Sequence, residues 1–444
     1  MKKKINIYVI LMIATFFMGT MFPFAYSGVD TGLDQLKILV DVMGKIQENY
    51  VEEKSAKDLI SGALYGMVGH LDEFSEYISI DDMKKMREET RGEFGGVGMR
   101  LSSAVKGELS VVTPLPDTPA YKAGIEPKDK VIKIDDKLVS EMTSDAAVAA
   151  LKGEVGTKVK VEIERTDEKT GKKINKVFVL KRAKIIPEVV YSKMMDDGIG
   201  YIYVADFSGH TMESFEAAMK DLQQKGMNAL ILDLRFNPGG LLESAVSMAK
   251  LFIGNNELIV YTKGRKDEFF KEYKSNAKAK YDIPITLLVN EASASGSEIV
   301  AGALQDHKRA VLIGARTFGK GSVQQVVTLP DGSGLRMTIA KYYTPLGRMI
   351  HKNFKAENAD ETGGIVPDIV VPFELKKSKA ATFYTTNLIY SPSKKTALPE
   401  VEKADDPVLD RAVELLKARA VLGSLNIQPQ AEQQPEQKAG EKSI

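Results

Sequence analysis

The chain has 444 residues, enough for two or three domains, and its 27% charged and 43% hydrophobic residues are an ordinary globular mixture. A formal net charge of +1 gives no overall field that would attract nucleic acid, so no nucleic-acid partner is expected. The absence of cysteine excludes disulfides and thiol catalysis, and the four histidines are scattered without the spacing of metal ligands. We therefore expect no metal and no other cofactor.

The first residues have the pattern of an export segment. Lys2, Lys3 and Lys4 precede a nearly uncharged run over residues 5–26. A basic start followed by an apolar stretch is typical of a signal peptide, and about 20 apolar residues also suffice to span a bilayer. Residues 1–27 are therefore predicted to be a signal peptide or a membrane anchor. This places the rest of the chain on the extracytoplasmic side of the cell membrane, either anchored there or secreted after cleavage.

Residues 31–90 carry apolar side chains at helical spacing. One such face is formed by Leu36, Leu39, Val40, Met43 and Ile46, and a second by Leu59, Ile60, Ala63, Leu64, Met67 and Val68. Amphipathic helices ahead of a domain are commonly packing or dimerisation arms. The sequence thus predicts an N-terminal helical arm, with a homodimer as one expected partnership.

Residues 91–183 open on a glycine-rich turn that contains Gly95, Gly96, Val97 and Gly98. Short apolar strands and two short helices follow, a pattern that resembles a PDZ domain, whose carboxylate-binding loop these four residues match. Successive backbone N–H groups in such a loop can hold a terminal carboxylate while the peptide adds a strand to the sheet edge. A nucleotide-binding glycine loop is the competing interpretation, and it is disfavoured because no βαβ unit follows in register.

Residues 186–375 alternate strand and helix patterns as an α/β domain does. A predicted strand ends at residue 234 and is followed by Asn237, Pro238, Gly239 and Gly240, just before the next helix. Alone, this would be interpreted as a tight turn. Because α/β sites lie at the carboxyl ends of strands, it becomes a candidate oxyanion hole once a nucleophile is found nearby.

Ser293, Ser295 and Ser297 lie where a second apolar strand gives way to a helix, and Lys320 follows a third strand between two glycines. A helix N-terminus offers free N–H groups to a developing oxyanion. A serine hydroxyl becomes nucleophilic when a base takes its proton, and a lysine can be that base only if burial keeps it neutral. Gln324 lies four residues after the lysine and could hydrogen-bond its amine. Periodicity alone does not choose among the three serines.

Two other kinds of site are less well supported. A Ser-His-Asp triad would have to use His307, which the predicted helix carries away from the serines. A phosphate-binding loop matches residues 314–320, but Gly321 stands where a magnesium-binding Ser or Thr is needed.

Four ordered motifs, at residues 233–240, 293–298, 317–324 and 364–368, closely resemble the carboxyl-terminal processing (tail-specific) serine peptidases. The resemblance extends over about residues 36–416, including the PDZ-like region. It implies a ClpP/crotonase-like α/β peptidase core and a Ser-Lys catalytic pair, with Ser295 as the nucleophile, Lys320 as the base and Gln324 as its orienter. The oxyanion donors that it implies are the backbone N–H of Gly296 and one N–H in Gly239–Gly240.

The complete prediction is an α/β multidomain protein with this peptidase core over residues 186–375, a PDZ domain and an N-terminal helical arm. Residues 376–426 are predicted to form a C-terminal helical segment and residues 427–444 a disordered tail. The expected function is a serine endopeptidase that cleaves proteins at or near their C-termini after its PDZ domain binds an apolar C-terminal tail. The alternative is a catalytically inactive PDZ scaffold that only binds protein C-termini.

Overall fold

The computed structural model describes residues 32–102, 108–167, 170–354, 356, 362–390 and 404–424. The chain divides into two compact units, Met1–Leu71 and Asp72–Ile444. The predicted signal or anchor segment and the predicted disordered tail lie outside the described residues. Among the helices that are described, none is both long enough and apolar enough to cross a membrane.

The first unit contains two helices, α1 (Leu33–Asn49) and α2 (Ala56–Gly69). Ser55 caps the start of α2, because its side chain accepts a hydrogen bond from the Asp58 N–H at 3.0 Å. Helix α1 has no buried residue, and most of the apolar stripe predicted for it is exposed, with Leu36 52% and Val40 59% accessible. The helices of the predicted arm are therefore present, and α1 carries an apolar face on its surface.

The second unit begins with β1 (Glu76–Ile78), α3 (Ile80–Arg91) and β2 (Phe94–Gly96). The PDZ-like region then follows as an antiparallel sheet in the order β3-β4-β5-β7-β8, with β6 beside β5. Its elements are β3 (Met99–Ser102), β4 (Leu109–Pro114), α4 (Pro119–Lys122), β5 (Lys130–Ile134), β6 (Lys137–Leu138), α5 (Ser144–Leu151), β7 (Lys158–Thr166) and β8 (Lys173–Lys181). Apolar side chains from these strands and from α5 form a core of their own, so this region has the anatomy of a separate domain.

The remaining elements build the α/β core. They are β9 (Ala183–Ile185), β10 (Val190–Met194), β11 (Ile199–Val204), α6 (Thr211–Gln224), β12 (Ala229–Asp233), α7 (Leu242–Lys250), β13 (Leu258–Gly264), β14 (Lys271–Lys274), β15 (Ile285–Val289), α8 (Gly296–Asp306), β16 (Val311–Gly314), β17 (Ser322–Thr328), β18 (Gly334–Tyr343), β19 (Ile369–Val370), α9 (Leu375–Tyr390) and α10 (Pro407–Ser424). Strand β9 returns from the PDZ-like region to pair with β2.

The central sheet has the order β10-β11-β12-β15-β16-β19 and is parallel from β11 onward. Its inner strands are mostly apolar because both of their faces are covered. Leu230 and Leu232 of β12 pack in the cluster that contains residues of α6, α7 and α8, whereas Ala229 and Ile231 pack in the cluster that contains residues of α10. Helix α10, in the predicted C-terminal helical segment, is thus one layer of the core.

A second, antiparallel sheet has the order β1-β18-β13-β14, with β17 also paired to β18. Strands β17 and β18 form an antiparallel hairpin. The short edge strands β1 and β14 were not expected, because their strand conformation depends on pairing with distant segments, as Tyr77 with Leu335. The connection from β16 to β17, which carries Lys320, therefore joins the two sheets.

Candidate active site

The predicted chemical groups converge at the carboxyl ends of neighbouring parallel strands. The turn after β12 carries Gly239 and Gly240, the turn after β15 carries Ser295, and the connection after β16 carries Lys320. Parallel strands end at the same edge of the sheet, and this edge is where α/β proteins place their sites. The topology therefore explains why motifs far apart in the sequence lie together.

Ser295 occupies a strained turn at the start of α8. Its backbone has φ 53° and ψ −109°, a conformation that non-glycine residues seldom adopt and that costs on the order of 1–3 kcal/mol. Gly239, at φ 102°, lies so close that a Cβ on it would be 2.6 Å from the Ser295 Cβ. Only glycine fits at position 239, because any side chain there would displace the serine.

The three serines differ in whether their hydroxyl groups donate a hydrogen bond. Ser293 is buried and donates to the Leu234 carbonyl at 2.8 Å, and Ser297 is buried and donates to the Asn237 carbonyl at 3.0 Å. Ser295 is half-buried, and its hydroxyl donates to no residue that the structure describes. Its proton is therefore the one that is free to be taken by a base.

Two backbone amides beside Ser295 lack an acceptor among the described residues: the N–H groups of Gly240 and Gly296. The Gly239 N–H, by contrast, donates to Asn237 Oδ1 at 2.8 Å. Gly296 is the first residue of α8, where the helix dipole adds positive potential. The arrangement can offer two N–H donors to an oxyanion, which is the number that the family resemblance implies.

Asn237 joins the two turns that carry these groups. Its carbonyl accepts hydrogen bonds from the Ala294 N–H and from the Ser297 hydroxyl, each at 3.0 Å. Its side-chain amide donates to the Val204 carbonyl at 2.9 Å, which ties the turn to β11. The position of the nucleophile turn is thus set by hydrogen bonds from a residue 58 positions earlier than Ser295.

Lys320 is half-buried, and its Nζ lies 5.2 Å from the centroid of the Phe74 ring. Burial lowers the pKa of its amine below the ordinary lysine value, and the charge of Arg336 lowers the pKa further, whereas Glu76 and Glu298 oppose this. Within the described residues, no hydrogen bond joins this amine to Ser295 or to Gln324. Burial and Arg336 thus shift the amine toward its neutral form, whereas the Phe74 ring face attracts the protonated amine.

Gln324 lies on β17 and donates from Nε2 to Thr338 Oγ1 at 2.6 Å. Its Oε1 atom is buried and has no hydrogen-bond partner among the described residues. A buried acceptor without a donor is costly, so this oxygen is a ready acceptor for an amine that turns toward it.

Glu298 is a site residue to which the sequence analysis gave no role. It is fully buried, and burial raises the pKa of its carboxyl to about 7. Hydrogen bonds from Thr317, Ser295, Gly319 and Lys320 lower this pKa but do not cancel the effect of burial. The signal that could have identified it was present, since a glutamate three residues after a helix-capping serine is a capping-box pattern. That pattern predicts one of its contacts, the Ser295 N–H, and none of the others.

Arg235 and Asp406 form a second feature that sequence reasoning missed. Arg235 is fully buried between Asp233, at 2.6 Å, and Asp406, at 2.8 Å, and Asp406 begins the segment that leads into α10. Tyr201 donates to the same Asp233 at 2.8 Å. No sequence signal links residues 171 positions apart. This ion cluster joins the C-terminal helix to the base of the glycine turn.

Replacing Asp406 with alanine is expected to lower the free energy of unfolding by about 3–5 kcal/mol, since the buried guanidinium of Arg235 would lose one of its two carboxylate partners. Urea denaturation of the full chain measures this. The matched control is Asp405→Ala, one residue earlier and exposed, for which a change below about 0.5 kcal/mol is expected. Equal losses in the two variants would contradict the role given to Asp406.

The PDZ-like loop has the geometry of an anion cradle. The N–H groups of Val97 and Gly98 have no acceptor among the described residues, and both residues are buried. Gly98 has φ 77°, and a Cβ on it would lie 2.3 Å from the Thr118 Cβ, so the loop requires glycine there. Gly95 and Gly96 precede them on β2, where Gly95 accepts from the Gly153 N–H at 3.0 Å.

The two disfavoured interpretations can also be compared with the structure. His307 lies at the C-terminal end of α8, roughly 18 Å along the helix axis from Ser295, and its Nε2 contacts the Leu258 carbonyl at 2.6 Å. The segment after Gly321 is strand β17 and not a helix. A triad through His307 and a phosphate-binding loop therefore both lack the geometry that they require.

An α/β core with an uncommitted serine hydroxyl in a strained turn, free amides beside it and a half-buried lysine defines a serine-type hydrolase. The model of peptidase family S41 matches residues 198–371, and the PDZ domain model matches residues 85–164. A carboxy-terminal-processing protease of Bartonella bacilliformis is 39% identical over 76% of this chain and 75% of its own length. The carboxy-terminal processing protease CtpA of Bacillus subtilis is 36% identical over 79% of this chain and 76% of its own length.

Among solved structures, the photosystem II D1 C-terminal processing protease aligns over 77% of this chain and 95% of its own, with 26% identity and a TM-score of 0.43. The identity and coverage of the two relatives establish the family. This chain belongs to the carboxy-terminal-processing serine proteases and is an enzyme of that class. The predicted fold class, an α/β multidomain protein with a PDZ domain and N-terminal helices, is confirmed.

Proposed function

We propose that this protease cleaves protein substrates at or near their C-termini by a Ser295–Lys320 mechanism. The observation that carries the proposal is that Ser295, unlike Ser293 and Ser297, keeps its hydroxyl proton uncommitted beside two free amides. The lowered pKa of Lys320 supports its role as the base.

In the proposed reaction, Ser295 Oγ attacks the carbonyl carbon of the scissile peptide bond while its proton passes to Lys320 Nζ. The N–H groups of Gly240 and Gly296 donate to the oxyanion that forms. As the tetrahedral intermediate collapses, the C–N bond breaks, and the leaving amine takes the proton from Lys320. A water molecule then gives a proton to the same amine and attacks the acyl carbon of the acyl-enzyme. As this second tetrahedral intermediate collapses, the bond from the acyl carbon to Ser295 Oγ breaks, and Oγ takes the proton back from Lys320.

The reaction requires the Lys320 side chain to turn from the Phe74 ring toward Ser295. The unpaired Oε1 of Gln324 supports this step, because it can accept a hydrogen bond from the amine and orient it without adding charge. Catalytic hydrogen bonds often form only when substrate is bound, so this role does not require a standing hydrogen bond between Lys320 and Ser295.

The experiment that tests the nucleophile is an acid quench during turnover of an activated peptide ester, followed by mass spectrometry of the digested protein. We expect the acyl group on Ser295, since a bound ester would be attacked by the serine whose proton is free. An acyl group on Ser293 or Ser297 would overturn the assignment. Turnover without any acyl-protein would indicate direct attack by water.

We propose further that the PDZ loop of residues 95–98 binds the carboxylate of an apolar substrate tail, supported by the free N–H groups of Val97 and Gly98. Amidation of the C-terminus of such a peptide is expected to weaken binding at least about tenfold, because the charged acceptor is removed. Calorimetry with the free acid and with the amide of one peptide measures this. Equal Kd values for the two peptides would contradict carboxylate recognition.

Export remains part of the proposal, supported by the lysines at positions 2–4 and the uncharged run that follows them. Cell fractionation of the full chain, compared with a chain that lacks residues 1–27, tests it. Homodimer formation is proposed from the exposed apolar stripe of α1. Analytical ultracentrifugation with and without residues 32–71 tests that point.

A further inference from the structure

The carboxylate of Glu298 is saturated with hydrogen-bond donors. Its Oε1 accepts from the Thr317 hydroxyl at 2.5 Å and from the Gly319 N–H at 2.7 Å. Its Oε2 accepts from the Ser295 N–H and from the Lys320 N–H, each at 2.8 Å. One buried carboxylate therefore contacts the backbone of the candidate nucleophile and the backbone of the candidate base.

A capping role accounts for only one of these four bonds. A capping glutamate accepts from the N–H of the helix-capping residue, here Ser295. The other three donors, from Thr317, Gly319 and Lys320, belong to the connection between β16 and β17, which follows a different strand. The contacts of Glu298 thus cross from the nucleophile turn to the lysine turn.

The donor pattern selects the ionised form of this residue. An ionised carboxylate only accepts hydrogen bonds, whereas a protonated one places an O–H where a donor already points. Burial disfavours the charged carboxylate and raises the pKa of Glu298 to about 7. The four donors oppose this effect, because each of them stabilises the ionised form. Loss of the negative charge would leave a buried donor unpaired on one of the two turns.

We propose that Glu298 is a positioning residue that fixes the lysine turn against the nucleophile turn, and so sets the approach of Lys320 to Ser295. This inference depends on the proposed Ser295–Lys320 mechanism. Glu298 is fully buried and so is not placed to touch substrate. It acts through the backbone of the two residues that do, and a small displacement between reacting groups is sufficient to lower the rate strongly.

Charged groups surrounding the pair determine the direction of a pH effect. Lys320 is the titratable side chain whose charge interacts with Glu298, and Lys320 in turn interacts with Arg336 of β18 and Glu76 of β1. Glu298 and Glu76 favour the protonated amine, while burial and Arg336 favour the neutral one. Removal of the Glu298 charge therefore moves the deprotonation of Lys320 to lower pH.

The test compares Glu298→Gln with the wild-type full chain, measuring kcat, KM and the pH dependence of kcat on one peptide substrate. The NH2 group of the glutamine can face Thr317, because the Thr317 hydroxyl can accept a hydrogen bond. The Gly319 N–H would then point at this NH2 group and would have no acceptor. We expect kcat to fall about 10- to 100-fold with KM within about threefold, because one buried donor is left unpaired. The rising limb of kcat should also move to lower pH.

The control for net charge is Glu291→Gln, an exposed residue in the turn after β15, for which wild-type kcat is expected. Thr317→Val and Thr317→Ser provide a second test if Glu298→Gln does not fold. Valine removes the hydroxyl donor and should lower kcat several-fold, and serine should restore it.

Two outcomes separate the inference from the proposed function. A kcat and pH limb of Glu298→Gln equal to wild type, with Ser295→Ala inactive, would overturn the role of Glu298 alone. Full activity of Ser295→Ala would overturn the mechanism on which the role depends. A merely structural role predicts a lower melting temperature with an unchanged pH limb, which would also count against positioning.

Discussion

The Ser295→Ala variant is expected to lose peptide-bond cleavage by about 10⁴-fold or more while it still binds a C-terminal peptide. Cleavage is lost because alanine has no oxygen to attack the peptide carbonyl, and the fold should persist because the Ser295 hydroxyl donates to no described residue. Binding should be kept because the substitution removes no contact of the PDZ loop. Steady-state kinetics on a cleavable peptide and calorimetry on its C-terminal segment measure the two effects.

The matched control for this change is Ser247→Ala on α7, where a half-buried serine makes no described hydrogen bond. It is expected to retain wild-type kcat and KM. A protein that binds C-termini but never cleaves them, in wild-type form as well as in the variant, would instead be the inactive scaffold considered from the sequence. Residual cleavage by Ser295→Ala near the wild-type rate would place the nucleophile elsewhere.

Lys320→Ala and Lys320→Arg are both expected to lower kcat by about 10²- to 10⁴-fold, the usual contribution of a general base. The arginine variant is the informative one, because it keeps a positive charge but stays protonated at every accessible pH. If the lysine only stabilised negative charge, arginine would preserve much of the rate. Similar losses in the two variants would therefore identify proton transfer as the role of Lys320.

The pH dependence of the wild-type enzyme follows from the same residue. A general base must be neutral, so kcat should rise with pH as Lys320 loses its proton. Burial and the charge of Arg336 lower the pKa of this amine. The pH range over which kcat rises should therefore lie below the ordinary range of lysine pKa values.

Arg336→Gln removes one of these causes and leaves its ion-pair partner Glu76 unopposed. The rise of kcat with pH is then expected to move to higher pH. A kcat limb that does not move in Arg336→Gln would indicate that the Lys320 pKa does not control the rate.

Much of the fold could be predicted because its elements bury one or both faces with a regular period. The run at Ile285–Val289 is fully buried as a central strand, and Ser144–Leu151 is one of the two short helices expected in the PDZ-like region. Strand β14 (Lys271–Lys274) could not be predicted in this way. Its residues are largely polar, and its strand conformation depends on pairing with β13.

The sequence by itself determined the order of the buried strands and helices, the segment that holds the serines, and the glycine-flanked lysine that follows the next strand. The tertiary structure alone decided which hydroxyl is uncommitted, which amides are free, and how Glu298 and Asp406 connect distant segments. The reason is physical. Periodicity records whether a local segment is buried, whereas the partner of a buried donor or charge is supplied by whichever distant segment folds against it.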